Sequence, residues 1–372
     1  MSIRAKIAVL NNSKRKKVAI IGFGASGIMT FHNLVRFHAN NSKSLLEIYI
    51  FDKSPINKGI AYSTKNVNHL LNVRAKGMSA VEEDSLHFVN WLKVNGYQYS
   101  NEDFVPRVIY GLYLEDIISQ AQKIAKEKNI TVVFKQKNIE TISIKNSYFL
   151  INEHLYHYCV SCVGAEMKSD NNFWNQKIER YLGDKEIHLQ GCGLTAFDAV
   201  VSLANMGYSG TIYLHSRTNH MPQVHSNAKP LPKPIISNYE NFSGRQIIHE
   251  FIKLCKKAFT NGEDWRSVFD SIRPITPQIW QKFSVKEKQS FVRHCLRYWN
   301  IHRHRCPKQQ YEFIQDLINS KKVILTKEHC KQNFIDCTGF SLSVSNNRFY
   351  SALISSNIIK PDDISAGALT NN

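Results

Sequence analysis

Twice along the chain a short apolar run gives way to a glycine-rich turn and then to apolar residues at helical spacing. The first such segment opens at Lys17 with KVAIIG, rich in β-branched residues, and IMTFHNLVRF follows Gly27 with apolar positions three or four residues apart. That order predicts strand, turn and helix. Glu47 to Phe51 (EIYIF) predicts the next strand. In the second segment the strand begins at Glu186 (EIHLQ), an amphipathic helix (FDAVVSLANM) ends at Gly207, and Thr211 to His215 (TIYLH) predicts a further strand. A Pro-rich stretch, Lys229 to Pro234, reads as a linker or lid, and the residues from there to Lys321 read as mostly helical. Ser284 with Glu287 three residues on is a capping-box start for a helix running to Arg297. No stretch approaches the roughly 18 to 20 apolar residues that a membrane helix requires.

Strands alternating with helices predict an α/β fold: two Rossmann-like dinucleotide-binding domains, with a helical insertion in the second. The expected first domain is discontinuous, 15–185 plus 321–372, and the second spans 186–320 with its insertion at about 235–320.

The turns themselves carry chemistry. In Gly22-Phe-Gly24-Ala-Ser26-Gly27 the first glycine allows a tight turn, the second lets backbone approach a pyrophosphate, and the third lets helix and strand pack closely. The helix that follows presents oriented N–H groups to the anion. Asp52, closing the next strand, stands where a carboxylate accepts hydrogen bonds from a ribose. Gly191-Cys-Gly193-Leu-Thr195-Ala196 repeats the device. Where an NAD-specific site carries an acidic residue after the next strand, this chain has Ser216 and Arg217. A guanidinium suits a 2′-phosphate, which predicts NADPH, with NADH as the alternative donor. Two turns in one chain suggest two dinucleotides, the arrangement in which a nicotinamide reduces a flavin.

Length and charge adjust this picture little. At 372 residues and 43% hydrophobic the chain is large enough for two cores, and 48 Lys+Arg against 30 Asp+Glu give a net charge of +18. Such an excess favours anionic partners. Apart from Lys14 to Lys17 the basic residues are spread along the chain, which favours anionic cofactors over nucleic acid. The apolar run Ile7 to Leu10 is too short for a signal-peptide core, so the expected location is the cytoplasm, with the eight cysteines as thiols. Cys159 and Cys162 form a CxxC, but residues three apart on a strand face opposite sides, so they read as structural thiols rather than a dithiol relay.

With these motifs placed, the chain resembles the bacterial FAD/NAD(P)-binding protein family, which is related to flavin-dependent monooxygenases and pyridine-nucleotide oxidoreductases. The resemblance runs through GFGASG, KGIAYST (Lys58 to Thr64), HLLNVRAKGMS (His69 to Ser79), FVPRVIYGLYL (Phe104 to Leu114), GCGLTAFDAVVSLA, IRPITPQIW (Ile272 to Trp280) and YWNIHRHRCP (Tyr298 to Pro307). It implies FAD at the first turn and a nicotinamide dinucleotide at the second. It also implies that Gly59, Asn72, Met78 and Arg107 line the flavin. Where such relatives have an ATG-like strand end, this chain has Ser161-Cys-Val-Gly164 and, closer to the pattern, Asp336-Cys-Thr-Gly339. Family members continue with a glycine-containing segment that reaches the flavin ring, whereas this sequence stops soon after Gly367, which bears on flavin turnover and raises a partner chain as the source of that segment.

For acid–base chemistry the richest segment is Arg293 to Cys306, with His302, Arg303 and His304 as the candidate catalytic residues. An equal reading has these side chains bridging two domains. The spacing of His302, His304 and Cys306 matches no standard zinc framework, so no metal is expected. The expected activity is a monooxygenase or oxidase acting on a small molecule. The competing readings are a non-catalytic nucleotide-binding regulator and, motivated by the charge, a flavoprotein acting on RNA.

Overall fold

The computed structural model describes residues 15–42, 44–54, 58–229, 231, 239–328, 330 and 333–369. Lys14, Thr370 to Asn372 and most of the Pro-rich stretch Lys229 to Pro234 lie outside them. The chain divides into two compact units: residues up to Asp170 together with those from Gly339 onward, and Asn171–Thr338.

The first unit contains β1 (Arg15–Ile21), α1 (Ala25–Asn41), β2 (Leu45–Asp52), α2 (His87–Val94), α3 (Arg107–Glu127) and β3 (Thr131–Gln136). Three short strands follow, β4 (Ser143–Lys145), β5 (Tyr148–Ile151) and β6 (His154–Tyr156), and then β7 (Tyr158–Ser161). A parallel sheet has the order β3-β2-β1-β7, and β4-β5-β6 form an antiparallel sheet. The KVAIIG run is continuous rather than alternating because β1 is covered on both faces. Val18 and Ile20 pack with Ile28, Phe31, Ile48 and Ile117 on the helical side. Ala19 and Ile21 pack with Ile151, Tyr156, Phe349 and Leu353 on the other, where the helix Arg348–Ser355 lies. Cys159 belongs to the second of these clusters and Cys162 to the first, so the CxxC thiols face opposite sides of the strand. Burial pushes the Cys159 thiol up to about 12.

The second unit opens with β8 (Glu186–Gln190), α4 (Leu194–Asn205) and β9 (Thr211–His215). Among the described residues six α-helices follow: α5 (Gly244–Thr260), α6 (Trp265–Ser271), α7 (Thr276–Lys282), α8 (Val285–His294), α9 (Leu296–Arg303) and α10 (Lys308–Asn319). Then come β10 (Val323–Thr326) and β11 (Ile335–Asp336), completing a parallel sheet of order β10-β9-β8-β11. Its core joins Ile187, Leu189, Ile212 and Leu214 to Ala196, Phe197, Val200 and Ile314.

The observed division differs from the expected boundaries. Residues 321–338, expected in the first domain, belong to the second: Val323 pairs with Ile212 and Ile335 with Leu189, which places both strands in the second sheet. Residues 171–185 likewise fall in the second unit. The helix expected over Ser284 to Arg297 is two, α8 and α9, meeting at Cys295. Its capping box is present as read, and Glu287 Oε1 also accepts from Arg245 N at 2.9 Å, which ties α8 to the start of α5.

His32, on the buried face of α1, is 2% exposed, and burial of its ring lowers its pKa from the ordinary histidine value. The unfolded chain therefore binds this proton at a higher pH than the folded one. Stability contributed by the neutral ring is present above about pH 6.5 and is lost as pH falls toward the folded pKa. Substituting Phe for His32 should flatten this acid limb, measured as a smaller drop in Tm between about pH 7.5 and 5.5.

Candidate dinucleotide-binding sites

In the first unit Gly22 leaves β1 with φ of +89°, and its N–H donates to Phe51 O at 2.8 Å. A Cβ there would lie 2.6 Å from Cys162 O, and one at Gly27 only 2.1 Å from Gly22 O. Any side chain at either place would displace backbone. Gly24 differs, because its Cβ would meet nothing nearer than Gly59 Cα at 3.4 Å, an ordinary contact. The fold thus demands Gly22 and Gly27, while Gly24 leaves room above the turn.

Asp52 has a second task beyond the expected ribose contact. Its Oδ2 accepts from Phe23 N at 2.6 Å and its Oδ1 from Ser54 N at 2.9 Å, so the carboxylate pins the turn to the end of β2. Gly59 packs on Gly24, which brings the KGIAYST segment over the N-terminus of α1. Gly111 on α3 had no signal in the linear pattern, but it allows this packing: a Cβ there would lie 2.6 Å from Tyr62 O. Arg107 opens α3, and its Nε donates to Leu70 O at 3.0 Å. Met78 packs against the core beneath, Asn72 is half-buried and Ser26 is exposed. Gly339, at φ +82°, lies in this unit, where its carbonyl accepts from Lys168 N at 3.3 Å.

The second unit repeats the device almost atom for atom. Gly191 has φ of +117°, and its N–H donates to His215 O at 2.8 Å. Its Cβ would lie 3.0 Å from Cys337 O. Cys337 N donates to Gln190 O at 2.8 Å, just as Cys162 N donates to Ile21 O at 2.7 Å. Ala196 is wholly buried where Gly27 sits in the first turn, and Thr195 is half-buried. Nothing lies within 4 Å of a Cβ built at Gly193. Both α1 and α4 have glycine N-caps, no side-chain cap and no acidic residue in the first turn. By contrast α5 and α8 have complete Ser-Gln and Ser-Glu capping boxes. The uncapped N–H groups of α1 and α4 suit an anion. Beyond β9, Ser216 N donates to Thr326 O at 2.9 Å. Arg217 is exposed, and among the described residues its side chain has no hydrogen-bond or ion-pair partner.

The segment rich in histidine and arginine divides by role. Arg305, 4% exposed, grips Asp270 with both terminal nitrogens at 2.9 Å, donates Nε to His302 O at 2.8 Å, and lies over the Trp265 ring at 5.2 Å. His302 places its ring against Trp265 and Phe269 and its Nδ1 2.7 Å from Tyr298 O. Cys306 is fully buried, with Sγ toward Pro222 O. These contacts are internal to the second unit, so they brace its helical insertion rather than bridge two domains. Desolvation lowers the His304 pKa, reinforced by the charges of Arg303 and Arg273. The linear spacing also passed over His188, His215 and Cys330, which the fold gathers with their potential ligand atoms all within 4.8 Å of one another.

Residues 19–163 match the model of an FAD-NAD(P)-binding family. The match takes in the end of β1, the first glycine turn, Asp52 and the strands from β2 to β7. No curated protein sequence matches the chain. Among solved structures the chain is similar to ornithine hydroxylase from Pseudomonas aeruginosa: 12% identity, covering 92% of this chain and 86% of that one, with a TM-score of 0.52. It is also similar to the FAD-bound cadaverine monooxygenase of the desferrioxamine pathway from Erwinia amylovora, at 11% identity over 85% of this chain and 69% of that one, with a TM-score of 0.51. At these identities the likeness is one of fold: parallel sheets with helices, as the alternating pattern predicts. No helix among the described residues is long and apolar enough to cross a membrane.

Two substitutions separate fold from ligand at these turns. Gly27→Ala should lower Tm sharply, whereas Gly193→Ala, whose Cβ meets nothing within 4 Å, should leave Tm unchanged in thermal denaturation. Asp270→Ala leaves Arg305 buried without its carboxylate and should cost about 3–5 kcal/mol, read from chemical denaturation.

Proposed function

We propose that the protein is an FAD-dependent oxidoreductase, reduced by NADPH, that acts on a small molecule as a monooxygenase or oxidase in the cytoplasm. The observation that carries this reading is the duplicated turn: two strands ending in left-handed glycines, each against the carbonyl of a neighbouring strand, each leading into an uncapped helix. The family match over the first turn supports FAD there. When bound, the two cofactors supply hydride transfer and oxygen activation, which amino-acid side chains do not provide.

The chain's own residues would bind and orient. Around the first turn, Gly22, Gly24, Ser26 and Gly27 with the N-terminus of α1 would hold the pyrophosphate, Asp52 the ribose, and Gly59, Asn72, Met78, Arg107 and Gly339 the remainder of FAD. At the second, Gly191, Gly193, Thr195 and Ala196 with the N-terminus of α4 would hold NADPH. Ser216 and the exposed guanidinium of Arg217 would take its 2′-phosphate, which is absent from NADH. In the His302-Arg303-His304 group, desolvation and the charges of Arg303 and Arg273 disfavour the protonated His304 ring, so as a general base it would be weaker than a free imidazole. His302 instead serves to pack the insertion.

The purified protein should be yellow, and anaerobic NADPH should bleach its flavin absorbance; a colourless protein that takes up no FAD would support a non-catalytic nucleotide-binding role instead. Arg217→Ala should raise KM for NADPH by about ten- to a hundredfold while leaving NADH kinetics and Tm unchanged, since one charge-assisted contact is worth about 1.5–3 kcal/mol. Equal losses with both donors would remove Arg217 from this role.

A further inference from the structure

β8 and β9 alternate strictly. Ile187, Leu189, Ile212 and Leu214 enter the core of the second unit, so His188, Gln190, Tyr213 and His215 face the other side. The register sets His188 beside Tyr213 and Gln190 beside His215, making the two imidazoles diagonal neighbours on that face. His188 Nδ1 and His215 Nε2 are 2.8 Å apart. Cys330, from the segment after β10, brings its Sγ to them, all three atoms lying within 4.8 Å of one another. His215 and Cys330 are each 6% exposed, and the His188 side chain is 17% exposed.

The outer nitrogens decide what faces inward. His215 Nδ1 lies 3.0 Å from Glu328 O, a carbonyl that only accepts, so Nδ1 carries the proton and Nε2 presents a lone pair. His188 Nε2 lies 3.3 Å from the Glu186 carboxylate, so by the same logic Nδ1 presents its lone pair. With both rings neutral, two lone pairs face each other across 2.8 Å with a sulfur beside them, an arrangement that a shared proton or a metal ion relieves. Such a cluster calls for an electropositive centre. Two imidazole nitrogens and a thiolate are a donor set that zinc takes, and a carbonyl and a carboxylate on the far nitrogens are the usual supports of zinc-bound histidines. Zinc–nitrogen bonds of about 2.0–2.1 Å in tetrahedral geometry place the two nitrogens roughly 3.3 Å apart, a separation reached by a small rotation of either ring.

We propose that His188, His215 and Cys330 bind Zn²⁺, tying β8 and β9 to the segment that follows β10. Binding releases the Cys330 thiol proton to solvent, and a water molecule completes the tetrahedron. That water would reach the ion past Glu186 and His188, which line an open cleft with Arg180, Tyr181 and Asp184. The ion would fix the strand end that carries the second turn, because His215 O accepts the Gly191 N–H and Ser216 and Arg217 follow directly. This proposal is independent of the electron donor and of the reaction.

The test uses the full-length protein. Dialysed against metal-free buffer, it should retain one equivalent of zinc by elemental mass spectrometry, and the zinc-stripped protein titrated with Co²⁺ should develop a thiolate-to-cobalt charge-transfer band. Cys330→Ser should abolish the band, and Cys255→Ser should leave it unchanged. Glu186→Gln, at a largely exposed carboxylate whose loss spares the fold, should weaken zinc binding about 10- to 100-fold. A protein that binds neither ion, a cobalt band that survives Cys330→Ser, or zinc affinity indifferent to Glu186→Gln would overturn the proposal. A histidine N–H signal showing a proton shared between His188 and His215 in the zinc-supplemented protein would do the same.

Discussion

Both halves of the molecule depend on the same close approach of main chain to main chain. At Gly22 and again at Gly191 the polypeptide leaves its strand in a left-handed conformation, 2.6 and 3.0 Å being all the room that a Cβ would have before the carbonyls of Cys162 and Cys337. The neighbouring strand end is bound in place by its own N–H, and the glycine N–H is held by the strand on the other side. The helix that follows therefore starts at a set height above the sheet. Phe51 O and His215 O are the matching backbone acceptors of the two glycine N–H groups, and in the first unit Asp52 adds a carboxylate clamp on the turn through Phe23 N.

What this leaves open is as informative as what it closes. A Cβ at Gly24 or Gly193 would meet no clash, so the fold alone does not require glycine there. At Gly24 the backbone of Gly59 packs close by, while Gly193 has open space above it, and a pyrophosphate over an uncapped helix end suits such a turn. Arg217, exposed beyond β9 and with no hydrogen-bond or ion-pair partner among the described residues, adds a cation of the kind that suits a 2′-phosphate. The net charge of +18 is consistent with anionic ligands but would not by itself have distinguished nucleotides from RNA.

The local devices were legible because each is written in consecutive residues: KVAIIG before GFGASG, EIHLQ before GCGLTA, Ser284 before Glu287. β8 and β9 fall where their apolar alternation put them. The pairing of distant strands was not legible, since Val323 and Ile335 are short apolar pieces that either sheet could have taken until hydrogen bonding assigned them to β9 and β8. The same limit hid Gly111, whose partner Tyr62 is 49 positions away, and the cluster of His188, His215 and Cys330, which spans 142 positions (330 minus 188) and has no motif spacing. In the Arg293-to-Cys306 segment density in sequence does not reveal the division of tasks: Arg305 and His302 stay together around Trp265, with Arg305 held by Asp270, while Cys306 enters the core.

The central claim is that one chain carries two separate dinucleotide sites, and counting bound cofactors tests it most directly. Native mass spectrometry of the protein incubated with FAD and NADP⁺ together should show chains carrying one of each at once, with Gly193→Val losing NADP⁺ and retaining FAD. A chain that binds either dinucleotide but never both, with one displacing the other, would contradict the account.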